Sequence, residues 1–170
     1  FNKNGALSQT NSAGISVTDS TVTKTCTIAE VYNNSSQGTS CNITSPTIVG
    51  SSNTPTVVGY ATSNAATSSS WAHNTAKSIS SNMNFYAITT SPAKTFTATY
   101  NKGANVSSIS KTSDSCTIAA TYNGAVQGST CSVTLPTITA SAGYTSVGFS
   151  TTSGSATGTT GSYSLSGNIT

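Results

Sequence analysis

Charge is what this chain has least of. Charged residues make up 5% of the 170 positions, the net charge is +3, and arginine is absent. Six lysines spread without a basic run give no footprint for nucleic acid or anionic lipid, so neither is expected as a partner. No apolar stretch approaches the ~18 residues of a membrane span, which excludes helical membrane insertion within the segment. Carboxylates number three, Asp19, Glu30 and Asp114, and none recurs at a matched place in the repeat described below. A paired-carboxylate mechanism has nothing to build on. His73 is the single histidine, without a G-x-S-x-G elbow to serve, and glycines 154, 158 and 161 lack the G-K-[ST] of a phosphate loop. The expectation is a protein that is not an enzyme and holds no metal or cofactor.

Serine and threonine instead fill roughly two fifths of the chain, and the lean apolar remainder is largely Val, Ile, Ala, Tyr and Phe interleaved with them. That alternation suits half-buried strands. A core so thin must offset backbone ordering of about 1–2 kcal/mol per residue, so a covalent staple is expected.

Self-similarity organises the sequence. Cys26-Thr-Ile-Ala-Glu-Val-Tyr-Asn33 returns as Cys116-Thr-Ile-Ala-Ala-Thr-Tyr-Asn123, and the register continues through Gln37-Gly38 and Gln127-Gly128, Cys41 and Cys131, Pro46 and Pro136, and Ile48 and Ile138. Small indels then shift it: Val58-Gly59-Tyr60 answers Val147-Gly148-Phe149, and Ile79, Asn82 and Met83 answer Leu165, Asn168 and Ile169. At the front, Phe1-Asn2-Lys3 answers Tyr100-Asn101-Lys102. The chain therefore reads as two modules, 1–91 and 92–170, divided where Pro92 interrupts two alternating stretches. Module one carries an extra loop, 65–77, with the single Trp; its Ser-Ser-Ser-Trp-Ala-His start predicts a short helix.

Each module holds one cysteine pair. Asn123-Gly124 is the preferred dipeptide of a two-residue type I′ turn, and counting outward from it sets Cys116 opposite Cys131. The same count from Asn33-Asn34 sets Cys26 opposite Cys41. Directly opposed residues have Cα atoms about 4.5–5.5 Å apart, within disulfide reach. Four cysteines permit three connectivities, and the repeat favours Cys26 with Cys41 and Cys116 with Cys131, each stapling a hairpin. Four reduced core thiols, or a shared zinc site without C-x-x-C spacing, are the competing readings. Bonded pairs imply an oxidising compartment, hence secretion or surface display.

With the repeat laid out, module two runs Phe96-Thr-Ala-Thr-Tyr100-Asn-Lys-Gly, Leu135-Pro136, Gly143-Tyr144-Thr-Ser-Val-Gly148-Phe149 and Leu165-Ser-Gly-Asn168-Ile169-Thr170, and module one continues it through Asn82-Met-Asn-Phe-Tyr-Ala87. This order resembles the internalin B-repeat family, the Listeria-Bacteroides repeats, though those modules lack the cysteine pair and carry Trp where this chain has Tyr60 or Phe149. The resemblance implies a small β-grasp-like module strung in tandem on bacterial surface proteins as a spacer or weak interaction unit, with no catalytic residues. The alternating strands by themselves also admit an immunoglobulin-like sandwich.

Two functional expectations follow. The first is a structural extracellular segment, a stalk, spacer or filament unit of a bacterial cell-surface protein. The second is an adhesin module, in which Trp71, His73 and Tyr60 form a contact patch on module one for a host or glycan ligand. Module one opens at Phe1, the last residue of the run that leads into module two, and module two stops at the counterpart of the residues that lead into Phe85-Tyr86-Ala87-Ile88. Open strand edges are therefore expected, to be paired by adjacent repeats of the same chain or by neighbouring copies.

Overall fold

A computed structural model describes residues Phe1–Thr170. The chain is all-β, with fourteen short strands in antiparallel sheets and no helix. It forms two compact units: unit 1 comprises Phe1–Pro92 together with Ala120–Gln127, and unit 2 comprises Ala93–Ala119 with Gly128–Thr170.

Unit 1 contains β1 (Ser8–Thr10), β2 (Ser16–Val17), β3 (Cys41–Thr44), β4 (Ile48–Val49), β5 (Thr56–Ala61), β6 (Ala76–Ile79), β7 (Tyr86–Ser91) and the later β11 (Thr121–Tyr122). They form three sheets, ordered β2-β1-β4, β3-β6 and β11-β7-β5. The interior gathers Ala6, Ile43, Ile48, Tyr60, Trp71, Phe85 and Ala87, with Phe1 against them. Phe1 is the hub: its ring meets Tyr60 at 4.9 Å, Trp71 at 5.3 Å and Phe85 at 5.5 Å between centroids, and Trp71 meets Phe85 edge-on at 5.0 Å. Such tilted and edge contacts add to what area burial alone provides.

Unit 2 contains β8 (Lys94–Thr99), β9 (Val106–Ile109), β10 (Ser113–Ile118), β12 (Cys131–Thr134), β13 (Ile138–Ala140) and β14 (Ser162–Leu165), paired as β8-β10, β9-β13 and β12-β14. Its core is Ala98, Tyr100, Val133 and Leu165, flanked by half-buried Phe96, Ile109, Cys116, Leu135, Phe149, Tyr163 and Ile169. The repeat is visible rung by rung. Cys41 faces Ile79 and Cys131 faces Leu165; Phe1 packs on Tyr60 as Tyr100 packs on Phe149, at 5.2 Å.

Both disulfides form as the repeat predicts, Cys26–Cys41 and Cys116–Cys131, with Cα separations of 5.9 and 5.8 Å. The turns form as well. Asn33 and Asn34 take φ of 56° and 65°, Asn123 and Gly124 take 56° and 84°, and the closing bonds run from Ser35 N to Tyr32 O and from Ala125 N to Tyr122 O. The hairpin ladder between turn and disulfide does not form. In the second repeat each arm is claimed by another partner: β10 by β8, with Cys116 opposite Phe96, β12 by β14, and β11 by β7; in the first, β3 pairs with β6 and the arm around Cys26 forms no strand. The Cys116–Cys131 bond thus joins two ladders and does not cross a rung of one. The helix expected near Ser68–His73 is also absent, because Trp71 is drawn into an antiparallel bridge with Tyr60.

Candidate interaction site at the sheet edge of unit 1

A cluster of polar groups in unit 1 is bonded to the segment Ala120–Gln127, which lies some thirty residues beyond the rest of that unit in sequence. Thr121 and Tyr122 pair with Ser91 and Thr90, so β11 is an edge strand added to β7. Strand addition of this kind draws its affinity from main-chain bonds and its specificity from side-chain pockets.

The pocket is made for Asn123. Its N–H donates to the Thr89 carbonyl at 2.9 Å, its Oδ1 accepts from Thr89 N–H, and its Nδ2 donates to the carbonyls of Asn64 and Ala66 at 3.0 and 3.2 Å. Gly124 N–H donates to Thr54 Oγ1 at 3.0 Å, while Asn53 Nδ2 donates to the Gly124 carbonyl at 3.1 Å. Thr54 and Thr89 are buried and hydrogen-bonded to each other through their hydroxyls, 2.8 Å apart. Gln127 closes the far end: its Oε1 accepts from Ser91 Oγ at 2.9 Å and its Nε2 donates to Pro92 O at 2.8 Å. A Cβ on Gly5, whose φ is +86°, would fall 2.1 Å from the Asn123 carbonyl oxygen, so the backbone here needs glycine both for its conformation and for the close approach. Neutral amides and hydroxyls carry the whole constellation, matching a chain with almost no charge.

The proposed contact patch on module one lies elsewhere and is not a surface. Tyr60 is 0% exposed and Trp71 5%, both within the aromatic interior. Tyr60 Oη donates to Gln9 Oε1 at 2.7 Å, and burial pushes the phenol well above its ordinary range. His73 is half-buried beside them in sequence, with its Nδ1 shielded and unpartnered. Core demand for large rings, with three aromatics meeting around Phe1, explains why Tyr60 and Trp71 are inside.

The carboxylates sit apart from this site. Glu30 accepts from Tyr32 Oη at 2.7 Å, Asp19 is exposed, and Asp114 of unit 2 is held by Lys111 Nζ and the Ser115 N–H. The hydrogen bond from Lys111 and that from Ser115 lower the Asp114 carboxyl below its usual range. Two disulfides place the chain in an oxidising, extracellular-type environment, and no helix is long and apolar enough to cross a membrane.

Residues Asn53, Thr54, Asn64, Thr89 and Ser91 escape sequence reasoning, since none belongs to a motif. The signal that existed was on the other side of the contact: Tyr-Asn and Gln-Gly recur in both repeats, in a loop where a turn alone demands only the asparagine. No family model matches the chain, and no curated protein or solved structure matches it.

Proposed function

We propose that this chain is a structural segment of an extracellular, surface-displayed repeat protein, a stalk or spacer unit without enzymatic activity. One observation carries the reading: the central sheet of unit 1 is finished by β11, a strand that module two supplies. A module whose sheet is completed by the next module's loop is suited to an array that must resist extension, because straightening the chain requires breaking that rung. The disulfides, each closing a loop of 15 residues and contributing about 3 kcal/mol, support the same role outside the cell. So does a surface of hydroxyls and amides with few charges. The resemblance to internalin B-repeats agrees with it.

The adhesin alternative loses its support, because two of its three patch residues are interior. Replacing Trp71 by alanine separates the two readings. A spacer with a core tryptophan loses about 3–5 kcal/mol of stability on that change, measured by denaturant unfolding. Adhesion of chain-coated beads to host cells or glycan arrays is expected to be absent before and after the substitution. Saturable adhesion by the wild-type chain, lost in Trp71→Ala at unchanged stability, would overturn the proposal.

A further inference from the structure

Unit 2 has an open cleft where unit 1 has a strand. The cleft encloses about 910 Å³ and is lined on its apolar side by Tyr100, Ile109, Leu135, Val147, Phe149 and Tyr163. Its counterpart in unit 1 is closed by β7 and by Phe85 just before it, which stacks on Phe1 and meets Trp71. Several groups that receive this segment in unit 1 have counterparts in unit 2. Phe1 is answered by Tyr100, and Asn2, which donates to the Phe85 carbonyl and accepts from Ala87 N–H, is answered by Asn101. The Tyr60–Trp71 bridge is answered by a Phe149–Thr159 bridge. A parallel ladder also starts in the right place. Thr99 N–H donates to the Ile169 carbonyl and Ile169 N–H donates to Thr97, and two residues further along both strands the same ladder is the one that β7 makes with Asn2.

What differs is the consequence of leaving the place open. β5 (Thr56–Ala61) is a full strand against β7, with Gly59, Tyr60 and Ala61 buried. Its counterpart Thr145–Ser150 makes no strand, only the bridge at Phe149; none of its residues is buried, and Val147 is 55% exposed. The same residues are ordered into a sheet where a partner strand exists and left as loop where it does not.

We infer that the cleft of unit 2 binds an extended β-strand of the Phe-Tyr-Ala-Ile-Thr-Thr type, the kind of segment that unit 1 holds at residues 85–90. The strand would enter between Asn101 and Thr145–Ser150, with its phenylalanine against Tyr100 and Phe149 and its alternate residues outward. The inference rests on the array reading above and names the array's partner chemistry: an extended, uncharged segment with one anchoring aromatic.

The test uses the full chain and a synthetic peptide copying Asn82–Ser91. Titration followed by backbone amide NMR is expected to give saturable shifts at Asn101–Asn105 and Thr145–Ser150, with new exchange protection at Val147 and Phe149. A peptide with alanine in place of Phe85 is expected to bind at least about tenfold more weakly, since the ring is the anchor. The Val147→Lys chain, altered at an exposed position, is expected to melt as the wild type does and to lose the peptide. Failure of the peptide to saturate, or shifts confined to unit 1, would overturn the inference. Adhesive activity of the chain would defeat the spacer reading and leave this binding untouched, so the two failures are distinguishable.

Discussion

Two loops of nearly the same sequence have opposite fates in this molecule. Glu30–Gln37 and Ala120–Gln127 share Tyr-Asn at the turn, an αL pair at its centre and Gln at the end. The second contributes an edge strand to unit 1, with Asn123 making four hydrogen bonds to the rest of that unit. The first bonds only locally: Tyr32 to Glu30, Gln37 to Ala29 and the turn closure on Tyr32. Tyr32 is 72% exposed while Tyr122 is half-buried. The strands that lead into the loops differ in the same sense. Ser113–Ile118 pairs along its length with β8, whereas its counterpart Thr23–Ile28 forms no strand, and no segment lies against it as β8 lies against β10. Turn chemistry is local and is written twice; strand formation needs a second segment, and each unit has one where the other does not.

The disulfides give the largest expected effect. Replacing both cysteines of either pair by serine should cost about 3 kcal/mol, because the two closed loops are equal in length. Denaturant unfolding measures that cost. The comparison predicts a difference in where the damage spreads: loss of Cys116–Cys131 should also raise amide exchange at Thr121–Asn123, whereas loss of Cys26–Cys41 should leave Asn33 as it was. Equal spreading would mean that the docked loop gains nothing from its anchored base.

The asparagines come next. Asn123→Ala removes the turn preference and strands the Thr89 N–H, at an expected cost of about 1–3 kcal/mol. Asn33→Ala removes only the turn preference, and about 0.5–1 kcal/mol is expected from thermal or denaturant melting. Similar losses at both would contradict the assignment of Ala120–Gln127 to the sheet of unit 1.

These contrasts mark what the sequence could convey. The repeat, the bonded cysteine pairs and the asparagine turns were legible because each depends on residues near one another or on register within one loop. The rung between Thr121–Tyr122 and Thr90–Ser91 was not, because a similar tip sequence occurs in both repeats and nothing in it says which copy docks on β7. Assigning cysteines to opposite rungs of one hairpin gave the right bonds through the wrong ladder, since an alternating Ser/Thr-rich arm offers every neighbour the same pattern, and β8 takes one arm while β14 takes the other. Trp71 misled in two ways. Its serine-rich approach resembles a helix start, and its isolation resembles a binding residue, yet its partners Phe1, Tyr60 and Phe85 come from three distant stretches.

The smallest effect concerns acid. Asp114 has a depressed carboxyl through Lys111 and Ser115, while its counterpart in the other repeat is Lys24. A depressed folded value contributes stability above the ordinary carboxylate value of 3.8, and that contribution is lost as pH falls through the depressed one. Asp114→Asn should therefore narrow the gap between melting temperatures at neutral pH and at low pH by a small amount, with no change for Lys24→Asn.

The central claim is that unit 1 is finished by residues from the second repeat, and amide hydrogen exchange of the full chain reads it directly. The N–H of Asn123, bonded to the Thr89 carbonyl, should be protected to the level of the β7 amides, while the N–H of Asn33 exchanges as an open loop. Equally fast exchange at Asn33 and Asn123 under native conditions would contradict the account.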